Sequence, residues 1–124
     1  MKIVEYFKTA KGRGVMATAD AKGKVDVAIY ASPHVIDEKT VAFIMADKLT
    51  HANLQSNPHA AYLFTEEEEK FKGVRLFLTK TKEETDPKKL DEFRRREYPN
   101  LRGSEFLVYF QVEKVLPLIG SGGE

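Results

Sequence analysis

The feature that most limits how this chain can fold is a succession of short β-tolerant apolar runs, each closed by a turn signal, with only short helical patterns between them. Val15 to Thr18 leads into Asp20-Ala21-Lys22-Gly23, after which Val25, Val27 and Ile29 alternate with Lys24, Asp26 and Ala28. A β-tolerant apolar run before an Asp/Gly turn and period-two alternation after it predict a β-hairpin. Ser32-Pro33 interrupts the second run, because proline has no N–H for a ladder. Asp37-Glu38-Lys39 then turns into Thr40 to Met45, expected to be a largely buried strand. His59 to Thr65 and Gly73 to Thr81, joined by the charged tip Glu66 to Glu69, predict a second hairpin, and Phe106 to Val115 a closing strand.

Three short helices separate these runs. Ile3, Phe7 and Ala10, with Tyr6 beside them, recur at helical spacing, and Gly12 and Gly14 read as stop signals. Leu49 to Asn57 lacks alternation and ends at Asn57-Pro58, where the residue before proline disfavours helix. Asp86 followed by Pro87 is an N-cap and first-turn pair, and Leu90, Phe93 and Tyr98 support a polar helix from Pro87 to Glu97. Six strands in antiparallel succession predict a mainly β fold: a six-stranded antiparallel split β-barrel, Greek-key-like and closed or partly closed, with short flanking helices rather than a doubly wound sheet. At 124 residues the chain is expected to be one domain, 1–124, with its N-terminal helix within 1–12 and a flexible Gly/Ser-rich tail over 118–124.

Charge and composition exclude several function classes. Lys and Arg number 20 against 19 Asp and Glu, a formal charge of +1, so no global field draws the chain to nucleic acid or an anionic membrane and any anion site must be local. Without cysteine there is no disulfide, thiolate nucleophile or iron–sulfur cluster, which fits a reducing compartment. Glu5, Lys8 and Lys11 break the N-terminal segment as a signal peptide or membrane span, so a cytoplasmic protein with no membrane partner is expected. His34, His51 and His59 are too scattered for a metal cluster, so no metal site is expected. Ser32 and Ser56 lack a nucleophile elbow. Arg94-Arg95-Arg96 point in different directions on a helix and form no single patch. Tyr62, Phe64, Phe77 and Lys80 would be a stacking face in a nucleic-acid-binding barrel, but strand aromatics are usually core and there is no basic excess, so no nucleic-acid partner is expected.

One connection has the composition of an anion site. Ala46-Asp47-Lys48-Leu49-Thr50-His51 runs from a buried strand into a helix opening, where first-turn N–H groups lack internal partners. The Thr50 hydroxyl and the Lys48 ammonium can add donors around a phosphate. The alternative is that Thr50 caps the helix and Lys48 is solvated.

The order of these pieces resembles the FMN-binding split barrel of the pyridoxamine 5′-phosphate oxidase-like superfamily. Gly14-Val15-Met16-Ala17-Thr18-Ala19-Asp20-Ala21-Lys22-Gly23 is similar to that family's opening of small apolar residues, Ala-Thr, an acidic turn and Gly. Val25 to Tyr30 and Val41 to Met45 follow. Ala52-Asn53-Leu54-Gln55-Ser56-Asn57-Pro58-His59-Ala60-Ala61-Tyr62-Leu63-Phe64 resembles its helix-to-strand passage, and Phe106 to Val115 its closing strand. The resemblance implies FMN bound across a homodimer interface, with the phosphate held from the second strand and the helix opening and the ring met by backbone groups. The matching positions are Ala28, Ile29 and Tyr30 on the second strand, Met45 and Ala46 at the end of the third, and Lys48, Thr50 and Asn53 at the helix opening. Ala28 stands where an oxidase has Arg and Thr50 where the family has Lys, so Lys48 or Arg75 would supply the missing charge. Family likeness implies an FMN-dependent oxidoreductase in electron or hydride transfer, with a small redox substrate or an electron-transfer partner, and leaves a deazaflavin or heme open beside FMN. It names no catalytic acid or base. True pyridoxamine phosphate oxidases are longer and grip substrate with a C-terminal segment, so that reaction is not expected. A cofactor-free binding or regulatory module is the alternative.

Overall fold

The structure, a computed structural model, describes residues 1–94 and 105–120. Its elements in chain order are α1 (Ile3–Thr9), β1 (Gly12–Ala19), β2 (Val25–Tyr30), β3 (His34–Asp37), β4 (Thr40–Ala46), α2 (Leu49–Ser56), β5 (His59–Glu66), β6 (Gly73–Glu84), α3 (Pro87–Phe93) and β7 (Glu105–Pro117). All strand pairings are antiparallel, in the order β2-β1-β5-β6-β7-β4-β3. The sheet therefore has seven strands where six were expected, and it is not closed, because the edge strands β2 and β3 share no ladder. The additional strand, β3, lies just beyond Ser32-Pro33 and pairs only with β4, with a register shift between Val35 and Asp37. A four-residue edge strand with Val35 and Ile36 side by side has no alternation to announce it.

Side chains tie the end of β2 to the strands beneath it. The Tyr62 hydroxyl donates to Ala31 O at 2.7 Å, and the Tyr30 ring meets Phe43 edge-on at 6.0 Å. Long β6 and β7 are bent by register shifts at Phe77/Leu78 and Lys80/Lys82, the usual effect of bulges on a paired strand. The bends let one sheet face wrap a core of Met16, Val41, Phe43, Met45, Tyr62, Phe64, Leu76, Val108 and Phe110, all buried. Leu54 of α2 and Ile3 of α1 seal it, and Phe7 packs edge-on against Phe64 at 5.2 Å. On the opposite face of β4 and β7, Ala42, Leu107 and Tyr109 are covered by Leu90 and Phe93 of α3.

Gly12 and Gly14 do not end α1; they lie within β1. A Cβ on Gly14 would stand 1.9 Å from the Tyr62 hydroxyl and one on Gly12 1.9 Å from Thr65 O, so both serve close packing. Helix α1 is instead held from a distance, since Glu38 accepts from Ile3 N at 2.7 Å and Val4 N at 3.2 Å. Strands β6 and β7 run longer than the apolar patterns suggested. Asp86 caps α3 by accepting from Lys88 N, and Pro87 opens the helix as expected. That helix is described to Phe93, and Arg95, Arg96 and Tyr98 lie outside the described residues. Of the expected flexible tail, Gly120 O accepts from the Arg75 guanidinium, and 121–124 lie outside the described residues.

Strand β2 reverses the usual meaning of alternation. Its apolar side, Val25, Val27 and Ile29, faces away from the core and is 67–79% exposed. Register places Ile29 opposite Val15 and Val15 opposite Leu63, with Val27, Ala17 and Ala61 in the next row. An outer apolar surface therefore continues across β2, β1 and β5. Among the described residues, no helix is long and apolar enough to cross a membrane.

Candidate functional site

The unpaired edge of β2 borders a cavity of about 430 Å³, within the roughly 300–1,000 Å³ of small-molecule sites. An edge strand leaves a row of N–H and C=O groups without ladder partners, so this wall offers backbone donors and acceptors to whatever lies against it. Asp26 to Ser32 form that side; Phe43, Ile44 and Ala46 of β4, Lys48 to Thr50 at the start of α2, and Phe93, Arg94 and Glu105 supply the rest.

Six of the eight residues singled out in the sequence are brought together here: Ala28, Ile29, Tyr30, Ala46, Lys48 and Thr50. The other two are not. Met45 points into the core with no exposed surface, since it is one residue out of phase with Ala46. Asn53 is buried behind the helix opening, where its Nδ2 donates to Thr18 Oγ1 at 3.0 Å. Arg75 is also elsewhere, donating from Nε to Pro117 O at 2.9 Å. The N-cap of α2 is Lys48, not Thr50, and no side chain caps the helix. Thr50 sits in the first turn, buried, beside Tyr30. The phenol of Tyr30 has its pKa raised, by burial first and by the charge of Asp26 as well, while its hydrogen bond with the Thr50 hydroxyl opposes the rise.

Sequence reasoning missed the end of the cavity built by Phe93, Arg94, Glu105 and His34. His34 meets Phe93 edge-on at 5.2 Å, and Arg94 Nη1 lies 2.6 Å from Glu105 Oε1. Arg94 was visible only as part of a basic triplet, and Glu105 only as a charge flanking the last apolar run; nothing local pairs them. Among the described residues no group of His, Asp and Glu is arranged to hold a metal ion. Tyr62 and Phe64 are fully buried, so they offer no stacking face to a nucleic acid.

The sequence profile of the family described as pyridoxamine 5′-phosphate oxidase matches residues 2–116, and the chain belongs to that family. Solved structures share its fold. An FMN-binding protein from Syntrophomonas wolfei subsp. wolfei aligns with a TM-score of 0.75 at 19% identity, over 95% of this chain and 84% of that one. HupZ of Group A Streptococcus aligns with a TM-score of 0.67 at 23% identity, over 86% and 85%. An F420 reductase aligns with a TM-score of 0.69 at 15% identity, over 90% and 94%. At such identities the likeness is one of fold. No curated protein matches the chain.

Proposed function

We propose that this protein binds FMN between the subunits of a homodimer and acts as a small flavin-dependent oxidoreductase. The observation that carries the reading is that Val27 and Ile29 belong to two features at once: both border the cavity, and both stand 67% and 76% exposed on the apolar face of β2, β1 and β5. A second copy seated on that face would bury the apolar surface and cover a ligand lying along β2 in the same act.

The donor set suits a flavin phosphate at one end of the cavity. Lys48 makes no ion pair among the described residues, Thr50 brings a hydroxyl, and the start of α2 has no side-chain cap to occupy its first N–H groups. Tyr30, Phe43, Ile44 and the edge of β2 suit a flat ring with polar edges. When bound, FMN supplies the electron chemistry, and the protein's part is to bind, orient and shield it. The family match and the FMN-binding structural neighbour support flavin over a cofactor-free module.

Purified protein is expected to be yellow, or to become so on adding FMN, and to have the mass of a dimer by light scattering. Ile29→Asp, which puts a charge on the outer face without entering the core, is expected to yield a monomer and to weaken FMN together with it. A dimer without flavin affinity would favour the cofactor-free module. A monomer that binds FMN fully would overturn the interfacial site.

A further inference from the structure

Lys48, Leu49 and Thr50 at the start of α2 form one wall of the cavity, and no side chain caps the helix there. A helix of eight residues is marginal by itself, so its placement depends on what it packs against. Of the four residues that α2 buries, Thr50, His51, Asn53 and Leu54, only Leu54 is apolar. Directional contacts therefore set the position of the first turn. His51, one residue on from Thr50, stands behind the cavity wall with its side chain 8% exposed. Its Nε2 lies 3.0 Å from both carboxylate oxygens of Glu83 on β6, and its ring is stacked on Phe106 of β7 with the planes 11° apart. Carboxylate oxygens only accept, so Nε2 carries the hydrogen and donates, which leaves Nδ1 on the side of Asp47 at 3.8 Å. The Thr50 hydroxyl is hydrogen-bonded to Tyr30 of β2. Two neighbouring residues thus fasten one turn to three strands.

We propose that His51 is a positioning residue for the ligand: through Glu83 and Phe106 it aims the first turn of α2 into the cavity, and the preference for a phosphorylated over an unphosphorylated flavin depends on it. The inference rests on the flavin reading above. Hydrogen bonds weaken steeply as donor and acceptor lose alignment, so N–H groups of that turn serve a phosphate only if the turn is held in one orientation. A polar pair with little exposure is a weak source of stability, because desolvation offsets its attraction, but it fixes a single arrangement where an apolar contact would slide. Charge is compatible with an anion nearby. Lys80 Nζ lies 2.5 Å from Glu83 Oε1 and Gln55 Nε2 3.1 Å from the same oxygen, so the carboxylate that orients His51 is compensated from its own strand.

The test is a pair of titrations of the full chain, with FMN and with riboflavin, on variants whose folding is checked by urea unfolding. His51→Phe keeps the stack on Phe106 but has no donor for Glu83; it is expected to weaken FMN by about tenfold and riboflavin by no more than about twofold. His51→Gln keeps a donor near the place of Nε2 and is expected to hold FMN within about threefold. Because a buried substitution can prevent folding, Glu83→Leu removes the acceptor at a side chain that is 24% exposed, and the same selective loss of FMN is expected. Adding His51→Phe to Glu83→Leu should weaken FMN no further, since the two residues act as one contact. Equal losses for FMN and riboflavin, additive losses in the double variant, or His51→Gln as damaging as His51→Phe would overturn the proposal. If the unaltered chain binds no FMN, the flavin reading falls and this inference with it; if it binds FMN and its preference over riboflavin survives both His51→Phe and Glu83→Leu, only the inference falls.

Discussion

The imidazole Nε2 of His51 lies 3.0 Å from both carboxylate oxygens of Glu83, tying helix α2 to strand β6. The ring is stacked on Phe106 at 3.7 Å, while Lys80 Nζ and Gln55 Nε2 also reach Glu83 Oε1, at 2.5 and 3.1 Å. Burial pushes the Glu83 carboxyl up, but the hydrogen bonds from Lys80, His51 and Gln55 outweigh it and hold the pKa down at about 2. A depressed carboxylate stabilises the fold above its unfolded value, near 4.5, and that contribution is lost as pH falls from there towards 2. Urea unfolding at a series of pH values is expected to show this decline. Glu83→Gln should be less stable at pH 7 by about 1.5–3 kcal/mol and should flatten the decline between pH 4.5 and 2. An unchanged slope would remove Glu83 as its source.

Helix α1 depends on a residue far along the chain. Glu38→Ala removes the acceptor for Ile3 N and Val4 N, and is expected to cost about 0.5–2 kcal/mol, as for loss of a local cap. Amide exchange at Ile3 and Val4 should quicken more than at β5 or β7. Uniform quickening would mean that the contact supports the whole fold rather than the helix.

Gly14→Ala forces the added methyl into the hydroxyl and ring of Tyr62, whose hydroxyl donates to Ala31 O just beyond β2. A loss of about 1–3 kcal/mol is expected from overpacking. Gly14→Ala combined with Tyr62→Leu should recover part of it, since the hydroxyl and the ring carbons that would stand 1.9, 2.2 and 2.5 Å from the methyl are gone. A double variant as destabilised as the sum of the singles would refute the steric explanation.

Thr50 and Lys48 are expected to act on the phosphate rather than the ring of a flavin. Thr50→Val should weaken FMN by roughly tenfold to a hundredfold, on the basis of about 1.5–3 kcal/mol for a hydrogen bond to a charged group, and riboflavin much less. Lys48→Met should behave similarly but with less salt dependence remaining than in the unaltered chain, because an exposed point charge has been removed. Paired titrations decide: equal losses for FMN and riboflavin would assign Thr50 to the pocket at large, through its contact with Tyr30.

Elements with a local cause were legible in the sequence. Asp86-Pro87 opens α3, Asn57-Pro58 follows α2, and the alternation of Val74, Leu76 and Leu78 marks a half-buried strand, each within a few residues. The helix opening at Lys48 and Thr50 was legible for the same reason, because unpaired first-turn groups and their neighbours are adjacent in the chain. Met45 and Asn53 show the limit. Each lies within a few residues of the cavity wall, yet strand and helix phase send their side chains into the core and against Thr18.

Sequence by itself determined where this chain is extended, where it turns, and that Val25, Val27 and Ile29 form one apolar side of a strand. Only the tertiary structure decided that this side faces outward, that β3 adds an edge and the sheet stays open, and that Arg94 meets Glu105 at the end of the cavity. The physical reason is that periodicity records a preference to leave water but not the surface that will satisfy it. Partner choice between strands, and the meeting of side chains from α3 and β7, are settled by how the whole core closes.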